Sequence, residues 1–306
     1  MLTLVSTPRT PPDVDGLVDA LPSLQRVAAQ TVVVKLGGAA IQAAGPDAIL
    51  ADVALLRLVG TRTVLVHGGG PEITEAQRRA GIEPRFRHGL RVTDGQTIEI
   101  VKTVLTKQVG PTLAAGLRRL GGNAVTLSGE DGSTLLALPH EEPGDEDLGY
   151  VGDVVRTDPT RVEAVLDAGG IPVVATLARG ADGHTYNVNA DAAAAELALA
   201  LDAGALVLLT DVPGVRDRDG ELIPELTADR ARVLVEAGVV TGGMIPKIDA
   251  ALRALQGTST VHILDGRIPH ALLRALLTDQ QVGTTLVRSS ARTRSRDGVH
   301  VFPGAI

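Results

Sequence analysis

The sequence predicts an α/β protein whose mostly parallel sheet is covered by helices on both faces. Short β-branched runs alternate with Ala/Leu-rich stretches of helical periodicity along most of the chain. The first run, TVVVKLGG at 31–38, has three successive valines and so reads as a strand buried on both faces, as parallel strands are. Glycine clusters follow this run and the next, where an open α/β sheet passes from strand to helix.

In chain order, residues 1–12 are Pro- and Thr-rich and expected to be loose. From Asp13, the residues Val14, Leu17, Val18, Leu21, Leu24 and Val27 recur at the spacing of an amphipathic helix (13–29), which Pro22 should kink or break. Strands are expected at 31–36, 63–67, 124–128, 171–176, 205–210 and 260–264, with helical stretches at 47–60, 96–120, 190–202 and 243–256. PHEEPGDEDLG, 139–149, reads as an exposed loop or hairpin. A basic, polar tail begins at 289 and reads as a solvated terminus rather than a nucleic-acid arm.

Composition narrows the function classes. At 306 residues with 44% apolar content the chain can bury one large core or two fused lobes. The net charge of -7 and the scarcity of aromatic residues (Phe86, Phe302, Tyr150 and Tyr186) argue against nucleic-acid binding. The chain has no cysteine, which excludes thiolate nucleophiles and thiolate metal sites. No apolar run approaches the ~20 residues of a membrane span, and the N-terminus lacks the regions of a secretory signal. A cytoplasmic protein with no membrane partner is expected.

Four groups of residues could carry chemistry. HGGGP, 67–71, leaves backbone N–H groups free between a strand end and a helix start, where an anion is favoured; read alone, it is equally a tight turn. KLGG repeats that design with Lys35 at the strand mouth, and GGMIPK, 242–247, puts Lys247 at the start of another helix. GLRVTD offers Arg91, whose planar fork suits a carboxylate, and YNVNAD sets Asn187 and Asn189 along a strand before Asp191. LLTDVPGV, 208–215, ends a buried strand in polar groups and a turn. Each has a plain structural reading too: a snorkelling lysine, a surface arginine, an N-cap. Neither GxGxxG nor GxxxxGK[ST] occurs, so the common nucleotide fingerprints are missing.

Taken together and in this order, KLGG, HGGGP, GLRVTD, YVGDV after the acidic segment, YNVNAD, LLTDVPG, GGMIPK and HILDGR resemble the amino acid kinase family, from about Val14 to Thr284. The motifs are most similar to the branch that phosphorylates the side-chain carboxylate of N-acetyl-L-glutamate in arginine biosynthesis. The resemblance implies a three-layer αβα sandwich over 30–288, with 30–176 binding the amino acid and 177–288 binding ATP. It implies Lys35 and Lys247 on the transferring phosphoryl group and Asp191 organising both. It places acetylglutamate against Gly69, Gly70, Arg91 and Asn187, and ATP with its Mg2+ against Gly37, Gly38, Asp211, Val212, Gly214, Val240 and Thr241, with no metal site on the protein itself. Such chemistry needs no general base, because a carboxylate with a pKa near ~4.3 is already ionised at neutral pH. The catalytic work lies in overcoming repulsion between two anions.

Residues 13–29 resemble the N-terminal helix that joins dimers into hexamers in arginine-inhibited members, which implies a trimer of dimers and an arginine effector. Three positions depart from that pattern. Ser23 follows the proline where an aromatic residue is usual, and Ala275 and Gln281 stand where the effector site has glutamate and glycine. Hexamer formation and arginine control are therefore expected to be uncoupled. Two alternatives remain at this point: a kinase acting on acetylaminoadipate or its carrier-bound form, and a non-catalytic nucleotide-binding regulator on the same fold.

Overall fold

The computed structural model describes residues 14–38, 46–141 and 147–289. The terminus expected to be loose at 1–12, the middle of the acidic segment and the basic tail beyond 289 lie outside the described residues. The strands are β1 (Thr31–Leu36), β2 (Arg62–His67), β3 (Phe86–Arg87), β4 (Leu90–Arg91), β5 (Ala124–Ser128), β6 (Leu135–Pro139) and β7 (Val151–Thr157). They continue as β8 (Ile171–Ala175), β9 (Leu177–Gly180), β10 (Thr185–Val188), β11 (Ala205–Thr210), β12 (Glu225–Thr227), β13 (Thr260–Asp265) and β14 (Thr284–Val287). Eight of them form one sheet in the order β12-β14-β13-β11-β1-β2-β8-β5. It is parallel except where β14 runs antiparallel to β13 and carries β12 with it at one edge.

β1 lies inside this sheet, hydrogen-bonded to β2 and β11, and its residues from Val32 onward are buried. Successive side chains of a strand point to opposite faces, and here each face meets a helical layer. Val33 packs with Val64, Val66 and Leu208 in a core shared with the helices Thr160–Asp167, Ala190–Ala200 and Ile245–Ala254. Val32, Val34 and Leu36 pack with Leu65 and Leu209 in a second core shared with Asp47–Leu58, Gly95–Val104, Gly110–Arg119 and Ala271–Leu277. The three-layer αβα sandwich follows from that division.

The helical stretch expected at 96–120 contains a wide turn. Gly95–Val104 passes through a π-helical turn, Leu105–Val109, into Gly110–Arg119. Pro111 removes a backbone donor here, and a π turn accommodates the interrupted ladder. A Cβ on Gly110 would stand 3.1 Å from His67 Nε2, so the missing side chain lets this helix close over the end of β2. At the N-terminus the break falls where Pro22 predicts it, between Val14–Asp19 and Leu21–Val27. Val27 is buried there, whereas Val18 and Leu21 are 57% and 49% exposed.

β6, β7, β9 and β10 close a small barrel beside the main sheet. The division expected after residue 176 falls inside that barrel, between β7 and β9: β9 and β10 pair with β6 and β7 of the preceding half, and the chain leaves the barrel through Ala190–Ala200. β10 also ends one residue earlier than the alternation of asparagines implies. Asn187 lies on the strand, but Asn189 has left it to cap the helix, accepting from the backbone N–H groups of Asp191 (2.9 Å) and Ala192 (3.1 Å).

Candidate functional site

The candidate site gathers at the carboxyl ends of β1, β2 and β11. Gly37 leaves β1 by donating its N–H to the Leu209 carbonyl at 3.2 Å, and a Cβ there would lie 2.8 Å from that same oxygen. A Cβ on Gly38 would meet Pro71 Cδ at 2.6 Å and Gly70 N at 3.4 Å. The KLGG and HGGGP turns therefore lie against each other, which only unsubstituted backbone permits. Gly68 in turn faces Ala190 Cβ at 3.6 Å, bringing the start of a further helix to the same place. The helices Gly70–Arg79 and Ala190–Ala200 thus direct their N-terminal, partially positive ends into one region.

Three charges meet there. Lys35 Nζ stands 2.7 Å from Asp191 Oδ1, and Lys247 Nζ donates to Asp191 Oδ2 at 2.8 Å. Lys35 comes from β1, Lys247 from the first turn of Ile245–Ala254, and Asp191 from the first turn of its own helix. Burial pushes the Asp191 carboxyl upward, but the two ammonium groups outweigh it and hold it down at about 2. Burial lowers Lys35 below the ordinary lysine range against the pull of Asp191, and the second ammonium adds to the lowering. The cluster carries one positive charge in excess, and an incoming anion relieves the repulsion between its lysines.

On the far side of the glycine turns lies a cavity of about 200 Å³ whose lining includes Gly69, Gly70, Arg91 and Asn187, the four residues expected to hold the amino acid. Arg91 is 7% exposed, and burial lowers its guanidinium from the ordinary value. It donates through Nη2 to the Gly70 carbonyl (2.9 Å) and Thr74 Oγ1 (2.8 Å), and through Nη1 to Gln77 Oε1. Phe86 lies under the guanidinium with its ring centroid 4.7 Å from Cζ. All these partners are neutral, and among the described residues Arg91 has no carboxylate partner. Asn187 donates to Thr93 Oγ1 at 3.3 Å, beside the end of β4. Thr74, Gln77 and Phe86 are the part of this site that motif reading misses; the only trace they leave is Gln77 at i+4 from Ile73, a polar group on the inward helix face.

The residues expected to contact the nucleotide sit across the lysines. Asp211 and Val212 follow β11 and are exposed, with Asp211 near enough to raise Lys35 and Arg267 electrostatically. Gly214 has φ +147, and a Cβ on it would strike Thr284 Oγ1 at 2.6 Å, so its glycine serves the fold at least as directly as any ligand. Val240 is buried and Thr241 exposed ahead of Lys247. The Arg267 guanidinium is fixed on Asp265 by two hydrogen bonds, 2.8 and 2.7 Å, and its backbone N–H adds a third at 3.0 Å, at the neighbouring end of β13. Among the described residues no group of three or more His, Asp or Glu side chains could hold a metal ion.

Residues 30–265 match the amino acid kinase family. The acetylglutamate kinase of a Synechococcus species is 48% identical over 288 residues, 92% of this chain and 96% of that one. That of Gloeobacter violaceus is 46% identical over 282 residues, 90% and 93% of the two chains. Among solved structures, N-acetylglutamate synthase from Neisseria gonorrhoeae complexed with coenzyme A and N-acetyl-glutamate superposes with a TM-score of 0.79 at 29% identity, covering 92% of this chain but 64% of the synthase. Carbamate kinase from Giardia lamblia bound to AMP-PNP superposes with a TM-score of 0.62 at 20% identity over 86% of this chain, a likeness of fold.

The pairing of Asp191 has a measurable consequence for stability. A carboxyl held at about 2 in the folded protein and 3.8 otherwise stabilises the fold above pH 4 and ceases to do so as the pH falls toward 2. Asp191→Asn removes that titration and leaves two buried lysines unpaired, so it should be strongly destabilised at pH 7, by about 3–5 kcal/mol. The gap between wild type and variant, measured by urea unfolding, should narrow by about 2 kcal/mol between pH 5 and pH 2. A gap that is constant with pH would show that Asp191 is not held by the lysines.

Proposed function

The chain belongs to the amino acid kinase family, and from that premise we propose that it transfers the γ-phosphoryl group of ATP to the side-chain carboxylate of N-acetyl-L-glutamate. The product is N-acetyl-L-glutamyl 5-phosphate, an intermediate of arginine biosynthesis. The observation that carries this reading is the placement of two unlike cationic centres on either side of the glycine turns. The Lys35–Asp191–Lys247 cluster suits a phosphoryl group in flight, and the uncompensated Arg91 suits a carboxylate that stays put.

In the reaction a carboxylate oxygen of acetylglutamate attacks the γ-phosphorus while the bond from phosphorus to the ADP oxygen breaks. The electron pair of that bond leaves with ADP, and no proton has to move. Lys35 and Lys247 contact the transferring group from different elements, with Asp191 fixing the separation of the two ammonium groups. The N–H groups of Gly38, Gly69 and Gly70 supply further donors, while that of Gly37 is committed to the Leu209 carbonyl. ATP lies toward Asp211, Val212, Gly214, Val240 and Thr241 and brings Mg2+ with it as part of the substrate, where the ion offsets phosphate charge. His67 is not a candidate base: burial lowers it to about 4, and its Nδ1 lies 3.0 Å from the Gly68 carbonyl.

We read the protein as a hexamer, a trimer of dimers. The support is the broken N-terminal helix, whose exposed Val18 and Leu21 lack the cover that Val27 has. Arginine control is read as uncoupled from this assembly. Ala275 and Gln281 line a cavity of about 340 Å³ in which Glu225 and Asp279 are the carboxylates, in place of the glutamate implied at 275. Among the described residues no helix is long and apolar enough to cross a membrane.

Trapping the acyl phosphate with hydroxylamine, across acetylglutamate, acetylaminoadipate, glutamate and aspartate, tests the reaction; the highest kcat/KM should fall on acetylglutamate. Lys35→Ala and Lys247→Ala should each lower kcat on the order of 10²–10³-fold with little change in the KM for acetylglutamate, since their charge acts mainly in the transition state. Wild-type turnover in both would sink the assignment. Arg91→Lys should act instead through a raised KM for acetylglutamate, because a point charge cannot reproduce a fork; a rise in the KM for ATP alone would put Arg91 in the wrong half. For assembly, light scattering should give a smaller particle for Val18→Glu/Leu21→Glu than for wild type, and equal masses would refute the interlacing role. Strong inhibition by micromolar arginine would refute the uncoupling.

A further inference from the structure

We propose that Gln77 is a positioning residue for the substrate carboxylate, holding the Arg91 guanidinium in place with a neutral amide so that its fork is fixed while its charge stays available. The proposal rests on the reading that Arg91 binds the carboxylate of acetylglutamate. Gln77 and Thr97 are each 1% exposed, and Arg91 is 7% exposed. A guanidinium can only donate, so Gln77 must turn its amide oxygen toward Arg91 Nη1. Its Nε2 then needs an acceptor, which Thr97 Oγ1 supplies at 3.2 Å. Thr97 is itself fixed in the first turn of Gly95–Val104, where its backbone N–H donates to the Asp94 carboxylate at 2.8 Å. One chain of hydrogen bonds therefore runs from an N-cap through two buried side chains to the cation at the cavity wall.

The neutrality of the groups in direct contact with the guanidinium is what matters for binding. A buried cation is ordinarily paired with a carboxylate, yet every acceptor around Arg91 is an amide, a hydroxyl or a peptide carbonyl. Three of the five donors of Arg91 are thereby committed without loss of its charge. A carboxylate at position 77 would hold the guanidinium at least as firmly and would cancel the field that draws the substrate. A thioether there would release the guanidinium and keep its charge.

Gln77→Glu and Gln77→Met separate these effects, with Arg91→Ala as the reference, by steady-state kinetics and thermal unfolding of the full chain. Gln77→Glu should raise the KM for acetylglutamate about tenfold or more, and Gln77→Met about threefold, with kcat and the KM for ATP held within about twofold in both. Gln77→Glu should unfold at or above the temperature of Gln77→Met. A merely structural role predicts the opposite order of KM, because glutamate keeps the contact that methionine breaks. A KM in Gln77→Glu at or below that of Gln77→Met, while Arg91→Ala still raises KM, overturns this proposal and leaves the carboxylate reading standing. An unchanged KM in Arg91→Ala overturns both. Isothermal titration of acetylglutamate gives the same ordering independently of turnover.

Discussion

The structure depends on one buried carboxylate between two ammonium groups. Asp191 lies within 2.8 Å of both Lys35 and Lys247, which come from a strand inside the sheet and from a helix some two hundred residues later. Removing three charges from water is costly, and mutual attraction repays it only when the geometry is tight. The surrounding architecture supplies that geometry: β1 is clamped between β2 and β11, and Ala190–Ala200 packs against Ile245–Ala254 in a shared core. The cluster is thus a constraint on the fold as much as a feature of the site. It ties the end of β1 to both helices beside the glycine turns.

The two ends of the site solve different electrostatic problems, and the difference is visible in their partners. Around the lysines a carboxylate is present, which keeps two like charges together and leaves a small positive excess. Around Arg91 none is present among the described residues, so the guanidinium is anchored by neutral groups and retains its whole charge. In the proposed reaction the first arrangement tolerates redistribution of negative charge as the phosphoryl group moves. The second favours a static anion. A nucleophile that is already ionised needs both, and it has no use for a base; the neutral His67, turned onto its own loop, is consistent with that division.

Much of this was legible in the sequence, for physical reasons that also mark where legibility ends. The six strands expected from β-branched runs fall on β1, β2, β5, β8, β11 and β13, which form most of the parallel sheet. Strands buried on both faces must be apolar throughout, and that leaves a plain signal. The barrel strands β6, β7 and β9 escaped because they are partly exposed, as in VGDVVRT, where burial falls off along the strand, and β10 is read only through its asparagines. The charged residues at strand ends were found because Lys35 and Arg91 are expensive to bury and stand beside glycines. Asn189 was placed on a strand because local alternation does not show where a ladder stops and a cap begins. Gln77 leaves no more than its i+4 spacing from Ile73, because a glutamine on a helix carries no cost in the sequence; its burial comes from packing.

Glycine completes the logic from the opposite direction. At Gly37 a side chain would enter the space of a strand carbonyl, and at Gly38 it would enter the ring of Pro71. Neither obstacle is a flexible side-chain end that could swing aside. The φ angles of both residues lie outside the left-handed region that glycine alone visits freely, so what they provide is proximity rather than conformational freedom. Because the two turns touch, the Lys35 ammonium, 3.6 Å from where a Cβ on Gly37 would stand, is held close to the cavity that Gly69, Gly70 and Arg91 line. An enzyme joining two anions has to bring them within bonding distance, and in the proposed reaction the close approach of these two backbones serves that end.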